Sequence, residues 1–276
     1  AAANCTGHLL LRELKLSEEE ETALVEALSL AADRDAAPSS LLIHASEFRD
    51  VPALLSALNK NKRLKHLSLQ WMEIRDECVE VLRDFTSLTS LHLHDVGKLA
   101  DLHPSHSPLA ASLHRLHING RPIDWRRSTG FLRHWPHLKE LSLGSSYEMA
   151  EEELMDFMDH LAPPKKGAET AGSSTLPSSP PQLYSLQLWI RVDDLSRSAT
   201  AAVVDALSRS GLPFFHILGR KKNPAIKAQV KRNQRNFLLT LDSPRVAATS
   251  MRLFICGDPF AGLGKTQTLS QTLKIS

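Results

Sequence analysis

A glycine-rich segment near the end of the sequence has the residue types of a phosphate-binding loop. Its candidate nucleotide contacts are Gly257, Gly262, Gly264, Lys265 and Thr266. The segment follows an apolar run, Met251–Cys256, that is typical of a buried parallel strand, and it precedes a predicted helix over Gln267–Ile275. In such loops backbone N–H groups surround the phosphates, the Lys reaches the outer phosphates and the Thr hydroxyl helps to hold Mg²⁺. The order of strand, turn, Lys-Thr and helix therefore indicates nucleotide chemistry.

The spacing of this loop departs from the usual motif. In G-x-x-x-x-G-K-[ST] the second Gly comes directly before the Lys, whereas here Leu263 and Gly264 separate Gly262 from Lys265. Without those two residues the segment would read GDPFAGKT and would match the motif. Two explanations stay open: this copy has lost nucleotide binding, or the two residues come from a mispredicted splice junction. As it stands, we expect the chain neither to bind GTP well nor to hydrolyse it, so no cofactor is predicted for it.

Histidines concentrate in one part of the chain, where they could bind a metal or a partner. Between positions 90 and 119 the sequence has six of them, at 92, 94, 103, 106, 114 and 117. His92 and His117 occupy equivalent places in two successive repeats, so we expect them to be neighbours on strands ~4.8 Å apart, with His94 beyond its strand. Zinc needs three or four converging ligands, and no Cys or acidic residue stands at motif spacing here. We therefore interpret the histidines as part of a polar binding face, with a zinc site as the alternative.

Aromatic and amide side chains extend this candidate face. We predict partner contacts at His92, His117, Gln187 and Trp189. Trp71, near the end of a predicted strand, is a further candidate contact, whereas Trp125 and Trp135 are interpreted as packing residues. The sequence contains no H-E-x-x-H, G-x-S-x-G or C-x-x-C pattern. We therefore predict no catalytic residue and no enzyme activity for this chain.

The elements that position these residues follow from a repeat of Leu-x-x-Leu-x-Leu. Its copies start at positions 11, 38, 64, 88, 113, 138, 183 and 212, at intervals of 24 to 29 residues apart from one of 45. The last two apolar residues of each copy share one face of a short strand, and the residue between them points to the other face. Helical segments separate the strands. We predict an α/β leucine-rich-repeat solenoid of ribonuclease-inhibitor type with about eight repeats, its strands concave and its helices convex.

Helix signals and one insertion account for the intervals. Ser17 and Glu20 fit a capping box at the start of a helix over Ser17–Arg34. Further helices are predicted over Glu47–Lys60, Asp76–Phe85, Glu151–Leu161 and Ser198–Ser208. The long interval contains residues 162–182, which hold five Pro among Ser, Gly and Thr. We predict a disordered insertion there, either a neutral surface loop or a regulatory loop phosphorylated at Ser179.

Composition limits the class of protein. The chain has 276 residues, 42% of them hydrophobic and 23% charged, with a formal net charge of +2. This composition is that of a globular chain, and no apolar run reaches the ~18 residues of a membrane-spanning helix. The first residues do not form a secretory signal, and Cys5, Cys78 and Cys256 are too few and too far apart for a disulfide framework. A cytoplasmic protein with no membrane span is expected.

The segment between positions 219 and 245 is strongly basic. It has eight Lys and Arg residues against Asp242 alone. A helix that begins at Asn223–Pro224 is predicted to close the repeat domain, with its charges on a solvated outer face. Because no aromatic residues alternate with the charges, no nucleic-acid partner is predicted. We assign residues 1–245 to the repeat domain and 250–276 to the start of an incomplete nucleotide-binding domain.

Repeats followed directly by a phosphate loop resemble the Roco family of Ras-of-complex GTPases, including the plant Tornado-like members. The resemblance implies a truncation at the start of the GTPase domain, with GTP and Mg²⁺ bound by the full-length parent. It also implies an intracellular GTP-dependent signalling scaffold whose repeats dock a protein partner on the concave face. Two rivals stay open: an N-terminal fragment of an active GTPase whose loop binds GTP, or a standalone ribonuclease-inhibitor-like protein with a decayed loop.

Overall fold

A computed structural model describes ten segments of the chain: 7–33, 37–44, 46–72, 74–94, 107–119, 135–148, 150–162, 183–192, 195–219 and 223–241. These segments form an α/β fold with one open sheet of eight parallel strands and seven helices, consistent with a solenoid-like repeat. The chain divides into two compact units, residues 1–237 and 238–276. The sheet belongs to the first unit, and of the second unit only residues 238–241 are described.

The strands lie side by side in the order of the sequence, each parallel to the next. They are β1 (His8–Arg12), β2 (Ser40–His44), β3 (His66–Gln70), β4 (Ser90–His94), β5 (Arg115–Asn119), β6 (Glu140–Glu148), β7 (Ser185–Val192) and β8 (Phe214–Gly219). Parallel neighbours need a crossover between them, and most of the described crossovers contain a helix. The predicted alternation of strand and helix is therefore confirmed.

Six of the seven described helices are close to those predicted, whereas the short helix at Pro108–Ser112 was not predicted. The seven helices are α1 (Glu18–Asp33), α2 (Val51–Lys60), α3 (Asp76–Arg83), α4 (Pro108–Ser112), α5 (Glu151–Leu161), α6 (Arg197–Ser210) and α7 (Pro224–Leu241). The predicted capping box precedes α1, because Ser17 Oγ accepts from the Glu20 N–H at 3.3 Å and Glu20 Oε2 accepts from the Ser17 N–H at 2.8 Å. α2 begins later than predicted, at Val51, because Asp50 caps it by accepting from the Ala53 N–H at 2.8 Å.

The core lies between the sheet and the helices. In the interior strands the two alternate apolar residues are buried, as Leu41 and Ile43 are in β2. The buried strand residues form one core cluster with helix residues such as Leu54 of α2 and Phe157 of α5. The residue between them is partly exposed on the opposite side. Trp135 is fully buried, as predicted for a packing residue. The apolar pattern of the repeat thus places one sheet face against the helices and leaves the other, here called the outer face, partly exposed.

A ladder of shared carbonyls joins successive repeats just before their strands. The Ser39 carbonyl accepts from the N–H groups of Lys65 and His66 at 2.8 and 3.1 Å, and the Lys65 carbonyl accepts from the next pair. The accepting carbonyls continue along the sequence through Thr89, His114, Lys139 and Tyr184. Each repeat therefore fixes the register of the one that follows. The ladder passes from Lys139 to Tyr184 without a break, although the predicted insertion separates them in the sequence and lies, after Ala162, outside the described residues.

The first copy of the repeat was predicted in the wrong place. The pattern starting at Leu11 would put Leu14 and Leu16 in a strand, but β1 pairs with β2 through Leu9 opposite Leu41 and Leu11 opposite Ile43. The stretch LLLRELKL has two pairs of leucines spaced as strand residues, Leu9 with Leu11 and Leu14 with Leu16, and only the second pair completes the full pattern. Pairing with β2 selects the earlier register.

Candidate partner-binding face

The outer face consists of columns of side chains that run across the strands. Its middle column is Leu10, Leu42, Ser68, His92, His117, Ser142, Gln187 and His216, as the strand register shows. The column nearer the strand ends includes His44, Gln70, His94, Asn119 and Gly144. Residues two apart on a strand share a face, so both columns belong to the same surface. His94 is the last residue of β4, and the prediction that it lies beyond the strand is wrong.

His92 and His117 are in contact at the centre of this face. They are opposite each other in β4 and β5, and their ring centroids lie 4.0 Å apart with a tilt of 54°. Loss of solvent and the neighbouring His92 and His94 lower the pKa of His117 to about 4, and burial lowers the pKa of His92 as well. Both rings are therefore neutral at physiological pH. The predicted proximity of the two histidines is confirmed.

Gln70 orients the His92 ring from the neighbouring strand. Its amide Nε2 donates to Ser68 Oγ at 3.0 Å and lies 3.3 Å from Nδ1 of His92. An amide nitrogen only donates, so with the amide in this orientation Nδ1 of His92 accepts. The proton of His92 is then on Nε2, where it remains a donor for a partner. Gln70 was not among the contacts predicted from the sequence, although its place at the end of β3 is equivalent to that of His94.

Trp71 extends this group of residues just past the end of β3. Its side chain is 61% exposed, and its ring centroid lies 4.2 Å from that of His94, with a tilt of 32°. The backbone of Trp71 is left-handed, with φ of 58°, which is unusual for a bulky residue. Nδ1 of His94 is buried without a hydrogen-bond partner in the described part of the protein. A large aromatic surface is thus presented to solvent at a conformational cost.

Asn119 occupies space that Gly144 leaves open on the next strand. A Cβ atom added to Gly144 would lie 2.5 Å from Oδ1 and 2.8 Å from Cγ of Asn119. Real Cβ atoms do not approach other atoms so closely. Glycine at 144 is therefore needed for the Asn119 side chain to lie across β6 beside the histidines.

An ionic group on the outer face, formed by Arg115 and Glu140, is already paired. Arg115 Nε lies 2.9 Å from Oε1 of Glu140, and the Tyr184 hydroxyl donates to the same carboxylate. Burial and the Glu140 carboxylate raise the pKa of Tyr184 to about 12, so its hydroxyl keeps its proton. Charge here is paired within the sheet. The centre of the face consists of neutral imidazole, amide, hydroxyl and indole groups.

The remaining predicted site residues are not brought together with the histidine pair. Gln187 lies in the middle column two strands from His117, with Ser142 between them, a separation of about 10 Å. Trp189 pairs with Gly144 in the sheet, and its side chain is not among those described. The predicted nucleotide contacts Gly257, Gly262, Gly264, Lys265 and Thr266, like the whole segment 250–276, lie outside the described residues.

The described residues provide neither a metal-binding group nor a membrane-spanning helix. Within the described ranges, no three His, Cys, Asp or Glu side chains are grouped so that they could hold a metal ion. Positions 103 and 106 of the histidine cluster are not in those ranges. None of the described helices is both long and apolar enough to cross a bilayer. Comparison with protein-family models, with curated proteins and with solved structures finds no match to this chain.

Proposed function

We propose that the chain is an intracellular leucine-rich-repeat scaffold that binds a protein partner on its outer face. The observation that carries the proposal is Trp71, an indole held 61% exposed by a left-handed backbone and packed on His94. A strained backbone conformation persists only where the surrounding structure enforces it, and residues with such a backbone cluster at ligand-binding sites. Exposed tryptophans are also the side chains most enriched among interface residues that dominate affinity.

The surroundings of Trp71 support a protein partner. His92 and His117 offer neutral rings beside it, and Gln70 leaves the Nε2–H of His92 as a donor. Interfaces combine aromatic anchors with a few directed hydrogen bonds and exclude charge from their centre. The Arg115–Glu140 pair is already formed in the sheet, so docking does not leave it unpaired. The partner is proposed to cover the repeats that contain β3, β4 and β5.

The test places a photocrosslinking amino acid at Ser68, in the middle column, and at Ser56, on α2. A partner captured in cells from position 68 and not from position 56 would meet the first requirement. Trp71→Ala, and the double variant His92→Ala with His117→Ala, should then each reduce capture at least tenfold. Leu30→Ala is the matched control, because Leu30 is a large apolar residue 54% exposed on α1. Unchanged capture by the Trp71→Ala and double variants would overturn the proposal.

The second candidate function is guanine-nucleotide binding by a Roco-type parent protein, whose repeats would be its docking arm. It rests on the sequence from Met251 to Thr266, with its apolar strand pattern and its Lys-Thr. The test is to sequence the transcript from the Met251 codon onwards. A message that lacks the codons of Leu263 and Gly264 and continues into an acidic Mg²⁺ ligand and a base-specific loop would support it. A message that encodes both residues and then stops after Ser276 would remove it.

A further inference from the structure

The last helix of the repeat array carries a compact patch of positive charge. α7 exposes Lys227, Lys231, Arg232 and Arg235, here called the basic patch. Lys227, Lys231 and Arg235 follow one another at intervals of four, and Arg232 lies three residues before Arg235. Residues three and four apart are neighbours on a helix surface, so the four cations form one group.

α7 has no acidic residue of its own. Between positions 219 and 241 the sequence contains neither Asp nor Glu. In the part of the chain that is described, none of the four residues forms an ion pair with a carboxylate. Some exposed cations elsewhere have such a partner, as Arg49 does with Glu18 at 3.2 Å. Four like charges on neighbouring turns repel one another, and a polyanion relieves that repulsion.

The opposite side of α7 packs against the repeats. Ile226 is buried, and Gln229 donates from Nε2 to Oδ1 of Asn233 at 2.9 Å. Nδ2 of Asn233 donates in turn to the carbonyls of Leu207 and Leu212 at 2.8 and 2.9 Å. A helix that inserts into a bilayer surface needs its apolar side for lipid. Because that side of α7 holds the repeats, the basic patch acts by electrostatics on a rigid support.

We propose that the basic patch binds the phosphate backbone of a nucleic acid without regard to base sequence. Steps of four residues along a helix separate the cations by about 6 Å, so successive phosphates of one strand can each meet a cation. Ala228 lies exposed among the cations, and its small side chain lets a backbone approach closely. No described aromatic side chain lies within the patch for base stacking, so affinity comes from counterion release. From the sequence alone, these charges are interpreted as a solvated helix face. Three observations favour a binding site instead: the cations are grouped, they form no ion pair with a described carboxylate, and the opposite side of α7 packs against the repeats.

The proposal makes a quantitative statement about salt. Binding to a DNA duplex releases counterions in proportion to the phosphates neutralised, with a slope of about −0.9 for each in log affinity against log salt. Four cations therefore predict a slope of about −3.6. Fluorescence anisotropy with a fluorescein-labelled duplex of about 20 base pairs, titrated with the full chain between about 50 and 200 mM salt, measures it.

Two charge-matched variants test the position of the site. One replaces the patch: Lys227→Gln, Lys231→Gln, Arg232→Gln and Arg235→Gln. The other removes the same charge from exposed residues outside α7: Lys60→Gln, Lys65→Gln, Lys139→Gln and Arg197→Gln. The patch variant should lose at least tenfold in affinity at low salt and most of the salt slope, while the control variant keeps both. Arg235→Gln alone should reduce the slope by about 0.9.

Three results would overturn the proposal. Equal losses in the two variants would show a response to net charge only. A salt slope weaker than about −1 in the unsubstituted chain would show that the patch does not engage the phosphates. Binding to phosphatidylserine vesicles without binding to the duplex would assign the patch to a membrane surface. Melting curves by circular dichroism establish that every variant is folded.

Discussion

At His117 the neighbouring strands exclude solvent from an imidazole that also faces His92. The fold therefore favours the neutral ring, and the pKa falls from the ordinary 6.5 to about 4. Between pH 6.5 and pH 4 such a group therefore binds more protons in the unfolded chain than in the folded chain. Its contribution to stability is complete above pH 6.5 and is lost as the pH falls towards 4.

The variant His117→Gln should consequently weaken the acid sensitivity of the protein. Glutamine does not titrate, so the fall in unfolding free energy between neutral and acid pH should shrink by at most about 3 kcal/mol. Urea denaturation at several pH values measures this. An unchanged pH dependence in the variant would contradict the assigned environment of the ring.

At Gly144 the missing side chain makes room for Asn119. The variant Gly144→Ala should lower the free energy of unfolding by about 1 to 3 kcal/mol, because the Asn119 amide must move. In a chain that already carries Asn119→Ala, the same change should cost less, and the two effects should not add. A double-mutant cycle measures the coupling, and additive losses would count against the contact.

Part of the site could be predicted from the sequence. Because the repeat fixes the register, His92 and His117 were expected to be neighbours, and they are. The tilt of their rings, the amide of Gln70 and the packing of Trp71 on His94 depend on side-chain contacts between different repeats. Nothing in the local sequence predicts the left-handed backbone at Trp71, because bulky residues disfavour it.

Elements end where particular residues stop them, and α6 gives a clear case. Gly211 follows its last turn with φ of 64°, and its N–H donates to the Leu207 carbonyl at 3.1 Å. Only a residue without Cβ adopts this backbone without strain. The helix can thus end and lead directly into β8.

Gly211→Ala should therefore lower the free energy of unfolding by about 1 kcal/mol. Gly7→Ala is the matched control, since a Cβ atom meets nothing within 4 Å at either position and only Gly211 has positive φ. Thermal unfolding of both variants makes the comparison. Equal effects would mean that backbone conformation is not what selects Gly211.

The positions of the strands show how much of the sheet the repeat pattern predicts. Seven of the eight strands form where Leu-x-x-Leu-x-Leu or its looser copies predict them. β1 differs because Leu9 and Leu11 have Thr6 in place of the first leucine of the pattern, whereas the complete pattern is at Leu11, Leu14 and Leu16. Pairing with Leu41 and Ile43 shows that the earlier leucines form the strand. Helix ends also differ from the predicted ones by several residues, as at α2, which begins at Val51 after the Asp50 cap and not at Glu47.

Over the whole molecule, successive repeats are held by backbone bonds that do not depend on the length of the connection. The backbone N–H of Tyr184 donates to the Lys139 carbonyl at 2.9 Å, across the longest interval between copies of the repeat. α2 and β3 are joined by a short connection, Asn61–Lys65, at the equivalent place. Residues 163–182 are therefore not needed for register.

Replacing residues 163–182 with a two-residue Lys-Arg connection, as at Lys62 and Arg63, should leave the melting temperature within about 4 °C. Loop length affects closure entropy only slowly, so the core should be unchanged. Differential scanning calorimetry of the shortened chain checks this. A large loss of stability would show that the segment packs on the repeats.

The shared-carbonyl ladder also sets how the protein exchanges its amide hydrogens with solvent. The two N–H groups at the start of a strand, such as those of Lys65 and His66, bind one oxygen and lose protection in the same opening event. Each shared carbonyl joins two repeats, so the hydrogen bonds in the middle of the ladder open only when a neighbouring repeat separates as well. Deuterium uptake should therefore increase towards both ends of the ladder. Unfolding should begin at the outermost repeats of the ladder and proceed inward.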